Sequence, residues 1–316
     1  MNNKSSWLIV LVYIILILCL TACSNNIQSE IPSLQAGPAK HGSAIGDYSI
    51  IELPIPKSIQ ASSMEFSGLA WYEEWLVLLP QYPNRGFYGK QGNLYAISKE
   101  NIDSFIKNNS QELEVKTIPF DDQGLYKELT GFEGYEAIAF VEDQIFLTIE
   151  TSGGDPMKAF LINGSVTGNL DSIILDKNSL IELQTQNSSR NASYEALTYD
   201  EENIYAIYEQ NGTENNKSPY VFVTDYEFKT TASIPIDPVN YRITDATMID
   251  SEGNFWAINY FFPGDTHLAV DSDPISQTYG LPETHQSSEP VERLLKFHLE
   301  EGEFTVVDNP PLYLHL

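Results

Sequence analysis

Four short segments of the chain share one pattern, and a pattern repeated at this spacing limits the fold more than any other feature. They are Ser67-Gly-Leu-Ala-Trp71, Glu136-Ala-Ile-Ala-Phe140, Glu195-Ala-Leu-Thr-Tyr199 and Asp245-Ala-Thr-Met-Ile249. Each is a short apolar run opened by a polar residue and a small one. A turn rich in acids, Asn or Gly follows, at Tyr72-Glu-Glu, Val141-Glu-Asp, Asp200-Glu-Glu and Asp250-Ser-Glu-Gly. A second apolar run comes next: Trp75–Leu79, Ile145–Ile149, Ile204–Tyr208 and Phe255–Asn259. β-Branched and aromatic runs around a tight polar turn read as hairpins. Third strands are expected at Asn93–Ile97, Lys158–Ile162, Tyr220–Val223 and Leu294–His298. Fourth strands are expected at Val115–Phe120, Ser172–Leu175, Thr231–Ile236 and Phe304–Val307.

A four-stranded unit recurring about every 50 to 70 residues predicts an all-β chain, a β-propeller with four recognisable repeats. Four or five blades fit, because a degenerate fifth fits into Ser172–Ser189. Tyr48–Pro56 reads as a fourth strand without its blade, expected to join the last blade and close the ring. Lys99–Lys107 is expected to form a short helix.

Ahead of the repeats lies a processing signal. Met1–Ser6 carries Lys4, Trp7–Leu20 is unbroken apolar sequence, and Leu20-Thr21-Ala22-Cys23 follows. A charged start, a short apolar core and small residues at the cut describe a secretory signal, and the run is short for a membrane span. The tetrapeptide resembles the bacterial lipobox. That resemblance implies cleavage before Cys23, which then carries the lipid, and several acyl chains together anchor durably. The expected organisation is a signal over 1–22, a lipidated Cys23 and flexible tether over 23–47, and the propeller over 48–316. The expected location is the bacterial cell envelope, membrane-bound through Cys23. Ser24–Asp47 is polar, with Pro, Gly and Ser, and as a random coil of about 24 residues reaches roughly 25–30 Å.

The charge balance excludes one class of partner. Acidic residues number 44 against 17 basic ones, so the phosphate neutralisation that nucleic-acid binding needs is lacking. Cleavage removes Lys4 and no acid. The cysteines are Cys19, lost with the signal, and Cys23, alkylated. The folded domain, expected to be a monomer, therefore has no thiol for catalysis, zinc or a disulfide.

The recurring opening motif, acidic turn, aliphatic strand and terminal acid resemble two related groups of exported bacterial propellers, over about residues 48–308. These are the esterase-like phytase domain and the SdiA-regulated lipoprotein type. The resemblance implies divalent-metal binding by channel carboxylates in some relatives, and phosphoester or ester hydrolysis. The first and fourth repeats depart from the acidic pattern.

Propeller geometry places the candidate site. Inner strands start, and second strands end, at one face. Ser67, Glu136, Glu195 and Asp245 should therefore ring one channel mouth, with Gln81, Glu150, Glu209 and Tyr260 one step outward. Glu136, Glu150, Glu195, Glu209 and Asp245 would converge there, and carboxylates this close cannot all stay ionised without compensation. A hard cation such as Ca²⁺, which takes 6–8 oxygens, is one remedy. Arginines are the other, and Arg85, Arg190 and Arg242 fall in loops of this face. A salt-bridge network and a metal or ligand site are both compatible with that arrangement. A long loop, Phe261–Glu292, is expected to be irregular and to cover the mouth as a lid. Its Asp265-x-His267 and Asp271-x-Asp273 pairs are candidate ligand contacts, or plain solvated charge. Two functions follow. One is a propeller that binds a small anionic ligand or an envelope protein at the acidic mouth, with Arg85, Arg190, Arg242, Asp265 and His267 as contacts. The other is a metal-dependent hydrolase of an anionic ester.

Overall fold

The computed structural model describes residues 50–57, 59–60, 64–84, 92–108, 113–152, 157–189 and 191–314. The signal, Cys23, the tether, Arg85 and Arg190 lie outside these residues. Strand order gives four antiparallel meanders. Blade one is β1 (Phe66–Tyr72), β2 (Trp75–Pro80), β3 (Gly92–Ser98) and β4 (Lys116–Asp121). Blade two is β5 (Phe132–Val141), β6 (Gln144–Thr151), β7 (Lys158–Thr167) and β8 (Ser172–Leu175), with β9 (Ile181–Leu183) on the same edge. Blade three is β10 (Tyr194–Tyr199), β11 (Asn203–Tyr208), β12 (Tyr220–Asp225) and β13 (Thr231–Pro235). Blade four is β14 (Arg242–Ala246), β15 (Asn254–Phe261), β16 (Val291–Glu300) and β17 (Glu303–Val306), with β18 (Leu312–Tyr313) beside β16. The protein is a β-propeller.

Alternation along each second strand explains why the blades stand upright against one another. On β2, Leu76 and Leu78 face the joint with blade four, while Val77 and Leu79 face blade two. On β6, Ile145, Leu147 and Ile149 face blade one and Phe146 faces blade three. On β11, Ile204 and Ala206 face blade two, and Tyr205 and Ile207 face blade four. Successive side chains of a strand point to opposite faces. An uninterrupted apolar run thus fills two joints at once, and each buried Leu or Ile contributes roughly 1.5–3 kcal/mol. Four apolar clusters result, one per joint.

The turns between first and second strands are short. Tyr72 pairs with Trp75 and Val141 with Gln144, which leaves two-residue turns in which Glu73 and Glu142 take positive φ. In blades three and four an Asp opens the turn instead. The Asp200 carboxylate accepts the Glu202 and Asn203 N–H groups, and that of Asp250 accepts those of Glu252 and Asn254.

The four blades form two matching pairs, a symmetry finer than the fourfold repeat in the sequence. The outer strands of blades one and two run parallel at Phe120↔Ile173, and those of blades three and four touch in the same sense at Ile236↔Phe304. Near the axis, the Tyr135 N–H donates to Gln81 O at 2.9 Å and the Ile243 N–H to Glu209 O at 2.9 Å, which are equivalent bonds in the two pairs. The outer edge of blade two is split between β8 and β9, and that of blade four between β17 and β18.

Two expectations need correction. Residues 172–189 do not build a fifth blade; their strands complete the outer edge of blade two. Residues 50–56 form no strand. Instead Leu53 and Ile55 are buried with Ile258, Leu294 and Leu314, so this segment closes the ring by apolar packing between blades four and one. The outer strand it was expected to supply is already present as β17. The helix expected near Lys99–Lys107 is present over Lys99–Asn108, with Ile102 and Phe105 packed on the same joint.

Asp245 crosses that joint near the axis. Its Oδ2 accepts the Leu69 N–H of blade one at 3.4 Å, and its Oδ1 accepts the Ala246 N–H at 2.8 Å. Burial raises its pKa to about 8 despite these two donors. A carboxyl whose pKa rises on folding contributes stability that is full below its unfolded value and is lost as pH rises toward 8. Asp245→Asn cannot ionise and keeps an acceptor oxygen for only one of the two N–H groups, a loss that does not vary with pH. Its stability relative to the wild type is expected to climb between pH 5 and 8, by at most about 1.4 kcal/mol per pH unit. Urea unfolding across that range checks this, and parallel pH profiles for the two proteins would refute it.

Candidate functional site

Each inner strand carries a bulge at the same level. Ser67 is extra between the pairs Phe66↔Pro80 and Gly68↔Leu79, and Glu195 between Tyr194↔Tyr208 and Ala196↔Ile207. Glu136 and Ala137 face the single residue left between Ile149 and Leu147, and Thr244 is extra between Ile243↔Asn259 and Asp245↔Ile258. A bulge bends the strand and re-aims a side chain. Ser67, Glu136, Glu195 and Thr244 therefore stand at one level of the mouth. The sequence pattern puts Asp245 in this row; the ladder puts Thr244 there, with Asp245 at the deeper level of Gly68, Ala137 and Ala196. The reason is one additional residue between the bulge and the turn in blade four, from Thr244 to Asp250 where blade three has Glu195 to Asp200. Small residues suit the deeper level. A Cβ on Gly68 would lie 3.0 Å from Ile138 Cγ2 and 3.3 Å from Glu136 O.

Toward the ends of the second strands the expected row is present: Gln81, Glu150, Glu209 and Tyr260 each follow the residue paired just before the bulge, Pro80, Ile149, Tyr208 and Asn259. Glu136, Glu150 and Glu195 each bring a carboxylate oxygen within 4.8 Å of the others. The Gln81 Nε2 group donates to Glu136 Oε1 at 2.7 Å. Glu209, fully buried, accepts the Ser193 N–H at 2.8 Å and is ion-paired with Arg242 Nη1. The same Nη1 lies 3.6 Å from Glu195 Oε1, and Arg242 Nε donates to Asp265 Oδ2 at 3.0 Å. The Glu195 side chain keeps 19% of its surface exposed and is the most open of the glutamates, against 1% for Glu209.

This cluster holds more negative charge than its one guanidinium balances. Two like charges at such separations repel by about 3 kcal/mol at an effective dielectric of about 20. Burial, and then repulsion from the neighbouring glutamates, pushes Glu136 and Glu209 well above the usual carboxylate range. Burial and Glu195 raise Glu150 to about 7. Glu195 is also raised, by burial first, with Arg242 opposing. Glu136, Glu150 and Glu195 stand close enough that a carboxyl of the group is favoured in its protonated form beside a charged neighbour. Burial alone would lower Arg242; Glu209, Glu195 and Asp265 outweigh it and fix the positive charge.

The loop over the mouth is more ordered than the sequence suggests. Between Phe261 and Glu292 it contains two 3₁₀ turns, Thr266–Leu268 and Glu283–His285, and a short helix, Pro274–Tyr279. Asp273 caps that helix through the Ser276 N–H, and its carboxylate receives both Arg293 Nη1 and, at 3.2 Å, Nη2. Arg293 is fully buried and also donates through Nε to Asn259 Oδ1 at 2.8 Å. Asp265 and Asp273 thus each hold an arginine. Between them His267 reaches Gln210 Nε2 at 3.4 Å, and Asp271 is exposed.

Of the residues singled out from sequence, the structure gathers Glu136, Glu150, Glu195, Glu209, Arg242 and Asp265 in one cluster. His267 stands at its rim, and Asp245 bonds to backbone elsewhere. Arg293 was missed, although a charged Glu292-Arg293 pair directly ahead of the apolar Leu294-Leu295 was the available signal. Thr244 was missed as well. Its Oγ1, Ser193 Oγ and Asn211 Oδ1 are buried without a hydrogen-bond partner among the described residues.

No family model matches the chain, and no curated protein does. Among solved structures it is similar to a β-fructofuranosidase of Bombyx mori in complex with sucrose, at 10% identity and a TM-score of 0.42, over 79% of this chain and 51% of that one. The chain thus spans about half the length of that enzyme. It is also similar to an α-L-arabinanase of Cellvibrio cellulosa, at 6% identity and 0.40, over 76% of each chain. An exo-β-1,3-galactanase of Clostridium thermocellum matches at 8% identity and 0.35, over 86% and 66%. Likeness at this level carries no activity across, and the propeller assignment rests on this chain's own strands.

Arg242 ties together blade three, blade four and the lid, and its loss leaves Glu209 buried beside other acids. Breaking a buried pair from one side costs about 3–5 kcal/mol. Arg242→Leu is expected to lose that much in urea unfolding at pH 8, and Glu209→Gln in the same chain to recover at least half. Equal loss in the single and double variants would show that the pair is not what holds the mouth together.

Proposed function

We propose that the protein is an exported, lipid-anchored binding propeller that takes a divalent cation of the calcium class at Glu136, Glu150 and Glu195. Through the cation it holds an anionic group of a small ligand or an envelope partner, while Arg242 holds Glu209 and Asp265 in place beside it. The observation that carries this reading is the convergence of three carboxylates within 4.8 Å while Arg242 is engaged by Glu209 and Asp265. Oxygen donors of this kind suit a hard cation. Charge supports it too, since a dication offsets the burial and, after it, the mutual repulsion that raise Glu136 and Glu150. The anchor is Cys23 in its lipobox-like setting, and the tether behind it holds the propeller near the membrane surface.

Calorimetric titration of the purified protein with Ca²⁺ tests the site. Binding heat is expected in the wild type, with thermal stabilisation of about 2.7 kcal/mol at a hundredfold excess over Kd. Glu136→Gln and Glu195→Gln should abolish both. A wild type that gives neither heat nor stabilisation would sink the proposal. The anchor is tested separately: Cys23→Ala is expected to move the protein from the membrane to the soluble fraction of the producing cell. Unchanged membrane association would refute lipidation at Cys23.

A further inference from the structure

We infer that the cation of the mouth is held partly hydrated, and that the Thr244 hydroxyl grips one of its water ligands from the wall opposite Glu136. This inference rests on the cation-binding reading above and adds to it a residue, a side of the mouth and a hydration state.

Hydrogen-bond accounting carries the argument. A buried polar atom without a partner costs about 1–3 kcal/mol, and native proteins keep few of them. Among the described residues four such side-chain atoms occur, and three of them, Ser193 Oγ, Asn211 Oδ1 and Thr244 Oγ1, belong to residues two positions from Glu195, Glu209 and Arg242. Ser193 precedes Glu195 by two residues and gives its N–H to Glu209. Asn211 follows Glu209 by two residues. Thr244 follows Arg242 by two residues and shares the bulge level of Glu136 and Glu195. Unmet hydrogen bonding is thus concentrated where the surplus negative charge is, although neither observation depends on the other.

Thr244 differs from other hydroxyls of the first and second strands. Ser67, its counterpart in blade one, donates to Tyr135 O at 2.6 Å. Thr198 donates to Thr247 O at 2.7 Å, and the Thr148 hydroxyl accepts the Ala137 N–H at 2.9 Å. Thr244 is 92% buried, with 8% relative exposure, yet satisfies nothing within the protein among the described residues. A neutral hydroxyl is a weaker direct ligand than the three carboxylates that face it. It is a good partner for the water of a hydrated dication, which is a strong donor. The carboxylates occupy the blade two and blade three side, and Thr244 occupies blade four, so the cation's inner face would be carboxylate and its far face water.

The test compares Thr244→Val, which removes the hydroxyl at nearly constant volume, with Thr244→Ser, which keeps it. Without cation, Thr244→Val is expected to melt no lower than the wild type, because a buried unsatisfied group has been replaced by an apolar one. Its Ca²⁺ affinity by calorimetry should fall roughly tenfold, the equivalent of one hydrogen bond of about 1.4 kcal/mol, while Thr244→Ser binds within about threefold of the wild type. Tb³⁺ luminescence lifetimes in H₂O and D₂O count coordinated waters, and the wild-type site is expected to keep about two or more. Wild-type affinity in Thr244→Val, or a Tb³⁺ ion with no coordinated water, overturns the inference while leaving the carboxylate site intact. A Thr244→Val protein that melts lower without cation, and binds as Thr244→Ser does, assigns Thr244 a structural role instead. If the wild type takes up no cation at all, the reading of the site falls and this inference with it.

Discussion

Both faces of every blade are buried against a neighbouring blade, and this two-sided burial governs where polar chemistry can go. Val77 and Leu78 face different joints, as do Phe146 and Leu147. The strand interiors are therefore committed to packing, and functional groups are left to strand ends and to the bulges where the ladder slips. Near the axis the constraint tightens further, and Gly68, Ala137 and Ala196 occupy the level just below the bulges. The carboxylates stand at the bulges and at the strand positions beside them, above these small residues.

Arg242 makes that arrangement tolerable. It is anchored at the start of β14, pairs with Glu209 of blade three, lies close to Glu195 and draws in Asp265 from the loop above. A single guanidinium among this many acids leaves a deficit, expressed as raised carboxyl affinities for protons. Stability alone would favour replacing some of these glutamates by glutamine. Their presence as ionisable groups fits a site built for a positively charged species, with local stability lowered in its absence. Arg293 plays a quieter part, fastening the middle of the 261–292 loop through Asp273.

Much of this was legible before folding. The strands, the tight acidic turns, the helix after the third strand of blade one and the convergence of Glu136, Glu150, Glu195 and Glu209 all follow from local periodicity. The turn chemistry of Asp200 and Asp250 is local for the same reason. Misplaced features depend on pairing between distant strands. Asp245 matches Glu195 by letter, but one additional residue before the Asp250 turn moves Thr244 into the ring. Leu53 and Ile55 carry a strand-like pattern, yet β17 already closes the blade they were expected to complete. The pairing of blades as two matching halves leaves no trace in the opening motifs, because its bonds join backbone groups of Tyr135, Gln81, Ile243 and Glu209.

The amino-acid sequence by itself determined a repeated four-stranded sheet unit, a surplus of acid and a folded domain without thiols. These depend on composition and on contacts between residues near in the chain. Only the tertiary structure decided which acids lie together, which acid Arg242 pairs with, and that Thr244 rather than Asp245 stands at the bulge level. Those outcomes turn on register and burial across joints between blades. A one-residue slip there moves a side chain from solvent to the axis, and the electrostatic cost of a carboxylate depends on that distance.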